Sequence, residues 1–400
     1  WPAVPITLST ARPSTGATLP PLHTDHLGLR DKTAAERKTI RATAWDQQIN
    51  KAALTEEEGL PGVDRIADWL RGDGALTLVT EPAGAEVLLH RYETHNRRLL
   101  PVLQRSLGRT PLSGVSLPMG SYLCVLRSDG RPDVRYPVHI ERNAHWHGVP
   151  PGGSEPHAIW LPGPDDLGAD ACYVPAGWFT AGGDTEARDA LSRRRVWVDG
   201  FSLSRLPVTN HDYIGFLDDL VAQGREDEAL RHAPRERAGT WGEQGALIYG
   251  YEGGRFSLRP DAEGDVWLPD YPVVMVDWSG AVAFAVWQAA RTGQAWRLPH
   301  DLEWEKGARG VDGRFYPWGD GFDPSWCHMV ASHRGRMLPA CIGDYPVDES
   351  VYGVRGLAGN MRDWTGTAYQ ADSDVRDGAA VSFQQKAGQG GAYRGYRGGS

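Results

Sequence analysis

The chain has 400 residues, with 42 Lys and Arg against 51 Asp and Glu, and a net charge of −9. Neutralising phosphates needs clustered cations, so this balance argues against a nucleic-acid binder. No run of about 18 apolar residues occurs, which excludes a membrane-spanning helix. Forty-nine Gly, 28 Pro and 16 Trp predict a turn-rich α+β chain with aromatic-studded cores, divided into two or three domains.

The opening residues, WPAVPITLST, lack the basic and apolar regions of a signal peptide. Residues 1–30 read as an extended lead-in, and 31–70 as one or two helices with Ile40, Trp45 and Ile49 at helical spacing. Arg71-Gly72-Asp73-Gly74 closes that segment, so 1–74 forms the first unit. From Ala75 the pattern turns to short alternating strands bounded by Gly and Pro, which predicts a small antiparallel β-sandwich over 75–142. Pro82-Ala83-Gly84-Ala85, Gly108-Arg109-Thr110-Pro111-Leu112 and Pro118-Met119-Gly120-Ser121-Tyr122 give this stretch the pattern of a PEGA domain, which it resembles. Such modules are usually non-catalytic surface or spacer domains of bacterial proteins.

Residues 143–172, rich in Gly, Pro and His, are expected as a polar linker. His145 and His147 alternate, and could share a strand face for a metal, but no acidic or Cys partner stands at recognisable spacing. Cys124, Cys172, Cys327 and Cys341 are scattered without a CxxC, so free thiols in a reducing cytoplasm are the expectation. Cys327 and Cys341 are the one pair near enough in sequence to consider bridging.

Beyond Tyr173, Thr209 is placed as an N-cap with Asp212 three residues on, ahead of an apolar face of Tyr213, Phe216, Leu217 and Leu220. A second helix is expected to be capped by Ser279, to turn Val282, Ala285, Val286 and Ala289 inward, and to stop at Gly293. The excursion over 222–270 reads as a surface loop available to a partner. Trp278, Trp287, Trp304, Trp318 and Trp364 are expected in core packing rather than on a carbohydrate-stacking surface. Arg297, Glu303, Glu305 and Arg309 are expected to form an internal polar network.

Arg297-Leu298-Pro299 leading to Glu303-Trp304-Glu305-Lys306, then Tyr316-Pro317-Trp318-Gly319-Asp320, Tyr352-Gly353 through Gly359-Asn360-Met361-Arg362-Asp363-Trp364, and Arg397-Gly398-Gly399-Ser400 follow in order. This succession resembles the formylglycine-generating enzyme, or sulfatase-modifying factor, family over 173–400. The resemblance implies an irregular α+β domain of C-type-lectin type. The family includes copper oxidases, iron-dependent sulfoxide synthases and non-catalytic members.

The oxidase chemistry uses two thiolates that suit Cu(I), and the family places them after the RGGS block, beyond Ser400. Sulfoxide synthases use a His trio from a preceding helical domain, and no HxxxHxE occurs here. The family's structural calcium would fall at Asp363 and Asn360. However, Ser350 stands where an Asn is usual, and Asp363 where Glu is usual, so hydrogen bonding to loop backbone is the favoured role.

The sequence therefore leans away from an enzyme. It points to a binding or regulatory protein with a protein partner, of the kind found in C-terminal regions of bacterial Ser/Thr kinases, whose HRD and DFG motifs are absent. The alternatives are a copper oxidase completed beyond residue 400 and a variable ligand-binding protein of a diversity-generating retroelement. No motif specifies an oligomeric state.

Overall fold

A computed structural model describes residues 9–11, 72–185, 187, 190–236, 245–332, 334–368, 375–381 and 394–398. The helices expected over 31–70 lie outside these residues. The described chain is a mixed α/β structure with few helices and several small sheets. Among the described residues, no helix is long and apolar enough to cross a membrane.

Among the described residues the first half holds strands only: β1 (Ser9–Ala11), β2 (Gly74–Leu78), β3 (Thr80–Glu81), β4 (Glu86–His95), β5 (Arg98–Arg109), β6 (Leu112–Leu117), β7 (Gly120–Arg127), β8 (Val134–Ile140), β9 (His145–Trp146) and β10 (Ile159–Trp160). Alternation decides the inward faces: Leu76 and Leu78 of β2, Val87 and Leu89 of β4, and Val134, Tyr136, Val138 and Ile140 of β8 are buried. Two sheets result, in the orders β5-β4-β7-β8 and β6-β2-β9.

The stretch 143–172 supplies strands to this architecture. β9 pairs in parallel with β2, and β10 in parallel with β3. A polar linker would leave such backbone groups to water, whereas here they complete two sheets.

The second half carries β11 (Ala171–Val174), β12 (Gly177–Ala181), β13 (Arg194–Val198), β14 (Phe201–Ser204), α1 (Asn210–Ala222), α2 (Glu226–His232), β15 (Gly250–Glu252), β16 (Arg255–Ser257), α3 (Trp278–Thr292), β17 (Trp296–Arg297), α4 (Asp301–Arg309), β18 (Asp363–Ala368), β19 (Ala380–Val381) and β20 (Arg394–Arg397). Thr209 caps α1 in a reciprocal capping box with Asp212. Tyr213, Phe216, Leu217 and Leu220 are buried on its inner face. Gly293 ends α3 in the left-handed conformation at φ 71°.

Two details of α3 differ from expectation. Its N-cap is Asp277, which accepts from Gly280 N at 2.7 Å, while Ser279 donates to the same carboxylate. The inward stripe is Ala281, Phe284 and Ala285, and Val286 is 63% exposed. Phe284 fixes the helix rotation, because its ring stacks on Tyr213 at 5.6 Å and meets Phe216 edge-on.

A buried cluster of α1, α3 and their neighbours forms one core. It includes Ile248, Tyr249, Phe256 and Trp267, so the 222–270 excursion contributes to the core rather than forming only a surface loop. Residues 237–244 of it lie outside the described residues.

A second cluster runs without a break from Leu76 and Val87 through Trp146 and Ile159 to Phe179, Trp304 and Val354. The β half and the second half thus share a core. Polar contacts add to the join: Leu99 N donates to Trp318 O at 2.7 Å, Arg135 faces Glu349 at 3.5 Å, and Arg97 pairs with Asp323. Arg314 lies 4.5 Å from the Tyr92 ring. Burial, offset in part by Arg314, leaves the Tyr92 hydroxyl raised to about 12.

Candidate functional site

The densest polar chemistry surrounds α4. Its N-cap is His300, whose Nδ1 accepts from Leu302 N at 3.1 Å while Glu303 accepts from His300 N at 2.7 Å. An accepting imidazole must be neutral, and burial, which lowers His300 to about 3, keeps it so. Glu303 also takes both ends of the Arg297 guanidinium at 2.7 and 2.6 Å.

One turn on, Glu305 accepts from Gly182 N at 2.6 Å and from Arg309 at 2.7 Å. Arg309 donates further to Arg314 O, Gly182 O and Gly313 O. Lys306, 1% exposed, donates to Pro175 O, Gly177 O and Val198 O at 2.7–3.2 Å. Burial lowers its ammonium to about 7, against the pull of Asp199 and Glu303. Arg397 of β20 closes the cluster on Asp301, at 2.6 Å from its Nε, and approaches Glu305 at 3.5 Å. Burial would lower Arg397, but those two carboxylates hold it above its usual range.

The expected internal network of Arg297, Glu303, Glu305 and Arg309 is therefore present, and it extends to Asp301, Lys306 and Arg397. These groups spend their bonds on one another and on backbone carbonyls. Such an arrangement ties strands of three sheets to one helix. The five tryptophans follow the same logic. Each indole N–H is satisfied internally: Trp278 by Thr365 O, Trp287 by Asp219, Trp304 by Asp363, Trp318 by Gly321 O and Trp364 by Val276 O.

The two calcium candidates are held by different elements. Asn360, at φ 67°, bridges Ala340 with its Oδ1 accepting from the N–H and its Nδ2 donating to the carbonyl, both at 2.9 Å. Asp363, 2% exposed, accepts from Trp304 Nε1 at 2.8 Å. Among the described residues, no group of three or more His, Cys, Asp or Glu is arranged to hold a metal. His145 and His147 do share a face, with rings edge-on at 5.7 Å, and His145 bonds Thr77 at 2.8 Å.

All four cysteines are free. Burial pushes the Cys124 and Cys327 thiols up to about 12 and Cys172 up to about 11. Thiols held so far from the thiolate do not fit a Cu(I) pair, and no step is assigned to copper through them.

One partly exposed face is built by β18, β20 and the start of α3. Arg394 lies 4.1 Å from the Trp278 ring and Arg362 lies 5.2 Å from the Tyr396 ring, which is 48% exposed and edge-on to Trp364. Sequence reasoning missed Arg362, Arg394 and Tyr396. The alternation in Arg394-Gly395-Tyr396-Arg397 carries the signal, since it puts Arg394 and Tyr396 on one side of the strand and Arg397 on the other.

Residues 162–400 match the Sulfatase-modifying factor enzyme 1-like domain. The chain is similar to the bovine protein described as inactive C-alpha-formylglycine-generating enzyme 2, at 28% identity over 54% of this chain and 77% of that protein. It is similar also to the formylglycine-generating enzyme of Thermomonospora curvata, at 27% identity over 59% of this chain and 84% of that protein. Among solved structures, PvdO from Pseudomonas aeruginosa aligns at 22% identity over 62% of this chain and 87% of that chain, with a TM-score of 0.37. Some curated relatives are much longer, and the chain spans 40% of one and 64% of another. With the matched segment exceeding half its length, the chain belongs to the sulfatase-modifying factor enzyme 1-like family.

Proposed function

We propose that this chain is a binding and regulatory protein that uses its family domain to engage a protein partner. The observation that carries the reading is the division of labour among its polar residues. Those around α4 are consumed internally, while Arg362 lies against the exposed Tyr396 ring in a cationic, aromatic patch. Arg and Tyr combine apolar area with hydrogen bonding, the composition favoured at the centres of protein interfaces. The similarity to a relative described as inactive supports a non-catalytic role.

In this reading the domain has the C-type-lectin type of fold, and residues 75–142 form a PEGA-like module ahead of it. The pair belongs to bacterial signalling, as in the C-terminal regions of Ser/Thr kinases, and four free thiols support a cytoplasmic setting. Calcium at Asp363 and Asn360 would compete with the bonds those side chains make to Trp304 and Ala340, so the scaffold is assigned to those bonds.

A second reading has one observation in its favour. The formylglycine-generating enzyme of Thermomonospora curvata is spanned over 84% of its length. A copper oxidase whose cysteine pair follows residue 400 is that alternative.

The experiment is a paired one on the full-length protein from the native host. The protein is incubated with copper, oxygen and a cysteine peptide, and the peptide is read by mass spectrometry for formylglycine. In parallel, co-purification of a partner is compared between wild type and Arg362→Glu/Tyr396→Ala. A partner held by wild type and lost by the variant, with no peptide oxidation, is expected; formylglycine in the peptide overturns the proposal.

A further inference from the structure

One strand in the sheets of the family domain comes from outside the matched segment. β1 (Ser9–Ala11) stands between β14 and β17 in the order β11-β14-β1-β17, whereas the match to the family begins at residue 162. Its pairing is antiparallel on both sides. Ser9, Thr10 and Ala11 lie opposite Leu203, Ser202 and Phe201 of β14, and Ser9 and Thr10 lie opposite Arg297 and Trp296 of β17. Among the described residues, β1 is the only strand that pairs with β17.

Without β1, β14 and β17 would stand about 10 Å apart, twice the spacing of paired strands, with their facing backbone groups unbonded. Such groups are a template for an extended segment that fits between them. The walls are fixed by the domain itself. Phe201, Ser202 and Leu203 are 2%, 4% and 0% exposed, and Arg297 is held on Glu303 at 2.7 and 2.6 Å. The family domain builds the gap, and the lead-in fills it.

The filling strand is held by few contacts. It pairs over three residues on one side and two on the other. At the wall, Trp296 Nε1 is buried with no hydrogen-bond partner among the described residues, and an unspent buried donor weakens the closed arrangement. The sequence suits exchange between chains. Ile6-Thr7-Leu8-Ser9-Thr10-Ala11 lies between Pro5 and Pro13, carries no charge and includes three β-branched residues. It therefore lacks the charges and prolines that keep a strand from pairing with another chain. Residues 12–73 separate β1 from β2, and a stretch of that length spans on the order of 200 Å when extended. The lead-in of a second copy can therefore reach the gap.

We propose that the gap between β14 and β17 is an acceptor site for an extended peptide strand. Residues 9–11 close it within one chain, and the same residues of a second copy close it when two chains exchange their lead-ins. The inference goes beyond the partner-binding reading and does not rest on it.

A fluorescein-labelled peptide of residues 4–14 tests the site by fluorescence anisotropy on the full chain. Three proteins are compared: wild type; Thr10→Pro, which removes a backbone donor from the middle of β1; and Thr10→Ser, which keeps it. Saturable binding is expected, about ten-fold tighter or more to Thr10→Pro than to the other two, because its gap has lost the tethered competitor. The same peptide carrying Thr10→Pro should bind none of them. If thermal melts show the Thr10→Pro protein to be unfolded, wild type decides alone, since it must bind the first peptide saturably and not the second. Light scattering after size exclusion follows the exchange. A dimer fraction that rises with concentration is expected for wild type and Thr10→Ser, and its loss for folded Thr10→Pro. The proposal is overturned by no saturable peptide binding, by equal binding of the two peptides, or by folded Thr10→Pro dimerising as wild type does. It is overturned also by wild type remaining monomeric up to about 1 mM, the order of effective concentration that a tether supplies.

Discussion

Replacing Glu303 by Ala removes both acceptors of the Arg297 fork, at 2.7 and 2.6 Å, together with the acceptor of His300 N at 2.7 Å. Glu303 is 3% exposed, so water does not readily replace the lost oxygens. Leaving one member of a buried ion pair costs about 3–5 kcal/mol. Losing the reciprocal half of the α4 capping box adds about 1 kcal/mol. Arg297→Met alone strands Glu303 in the same way, although His300 N still donates to it, so about 3 kcal/mol is expected.

The double variant lacks both charges and should cost clearly less than the sum. A coupling energy of about 2 kcal/mol is expected from the cycle. Urea unfolding followed by tryptophan fluorescence and far-UV circular dichroism measures all four proteins, and coincident transitions license the comparison. Additivity within about 0.5 kcal/mol, or a Glu303→Ala cost below about 1 kcal/mol, would show that the pair does not anchor α4 in the way described.

Asp348 offers a pH test. Burial raises it from 3.8 to about 7, although Leu357 N and Ala358 N donate to it. The folded state therefore holds this proton more tightly than the unfolded chain. The stability it contributes is present below about pH 4, is lost as pH rises towards 7, and changes no further above that, by at most about 4 kcal/mol. Asp348→Asn should flatten that part of the stability–pH curve, and an unchanged slope in urea titrations would contradict the assignment. Thr209→Ala removes the cap of α1 and should lower stability by about 1 kcal/mol, with Thr209→Ser restoring most of it in the same denaturation assay. Trp304→Phe takes the indole donor from Asp363 and shrinks a buried ring, and a loss of about 2–3 kcal/mol by urea denaturation is expected. A neutral result there would mean that the Asp363 carboxylate is satisfied without Trp304.

Several features were legible in the residues because their causes are local. The capping box of Thr209 and Asp212 needs three residues of spacing and a following apolar face, all of which lie within one turn. The stop at Gly293 needs only a residue that tolerates positive φ. The ordered blocks from Arg297 to Arg397 identified the family, and two of the carboxylate–guanidinium pairs of α4, Arg297–Glu303 and Glu305–Arg309, stand six and four residues apart. The strands from Gly74 to Ile140 were readable from alternation, since pleating sends successive side chains to opposite faces.

Other features depend on contacts between distant segments. Asp277 rather than Ser279 caps α3, and Val286 points outward, because Phe284 stacks on Tyr213 and sets the helix rotation; periodicity alone does not choose between neighbouring stripes. Ile248, Tyr249 and Trp267 are core residues only because α1 and α3 leave a surface for them. The strands within 143–172 are two residues long, too short for alternation to mark, and they exist because β2 and β3 offer unpaired edges. β1 lies between β14 and β17, both distant from it in sequence, because the packed family domain leaves a gap there. Sequence thus determined which chemistry each segment carries and which family holds it. The tertiary structure decided which of those groups are spent on one another and which are left facing solvent, because hydrogen-bond saturation is a property of packed neighbours and not of spacing.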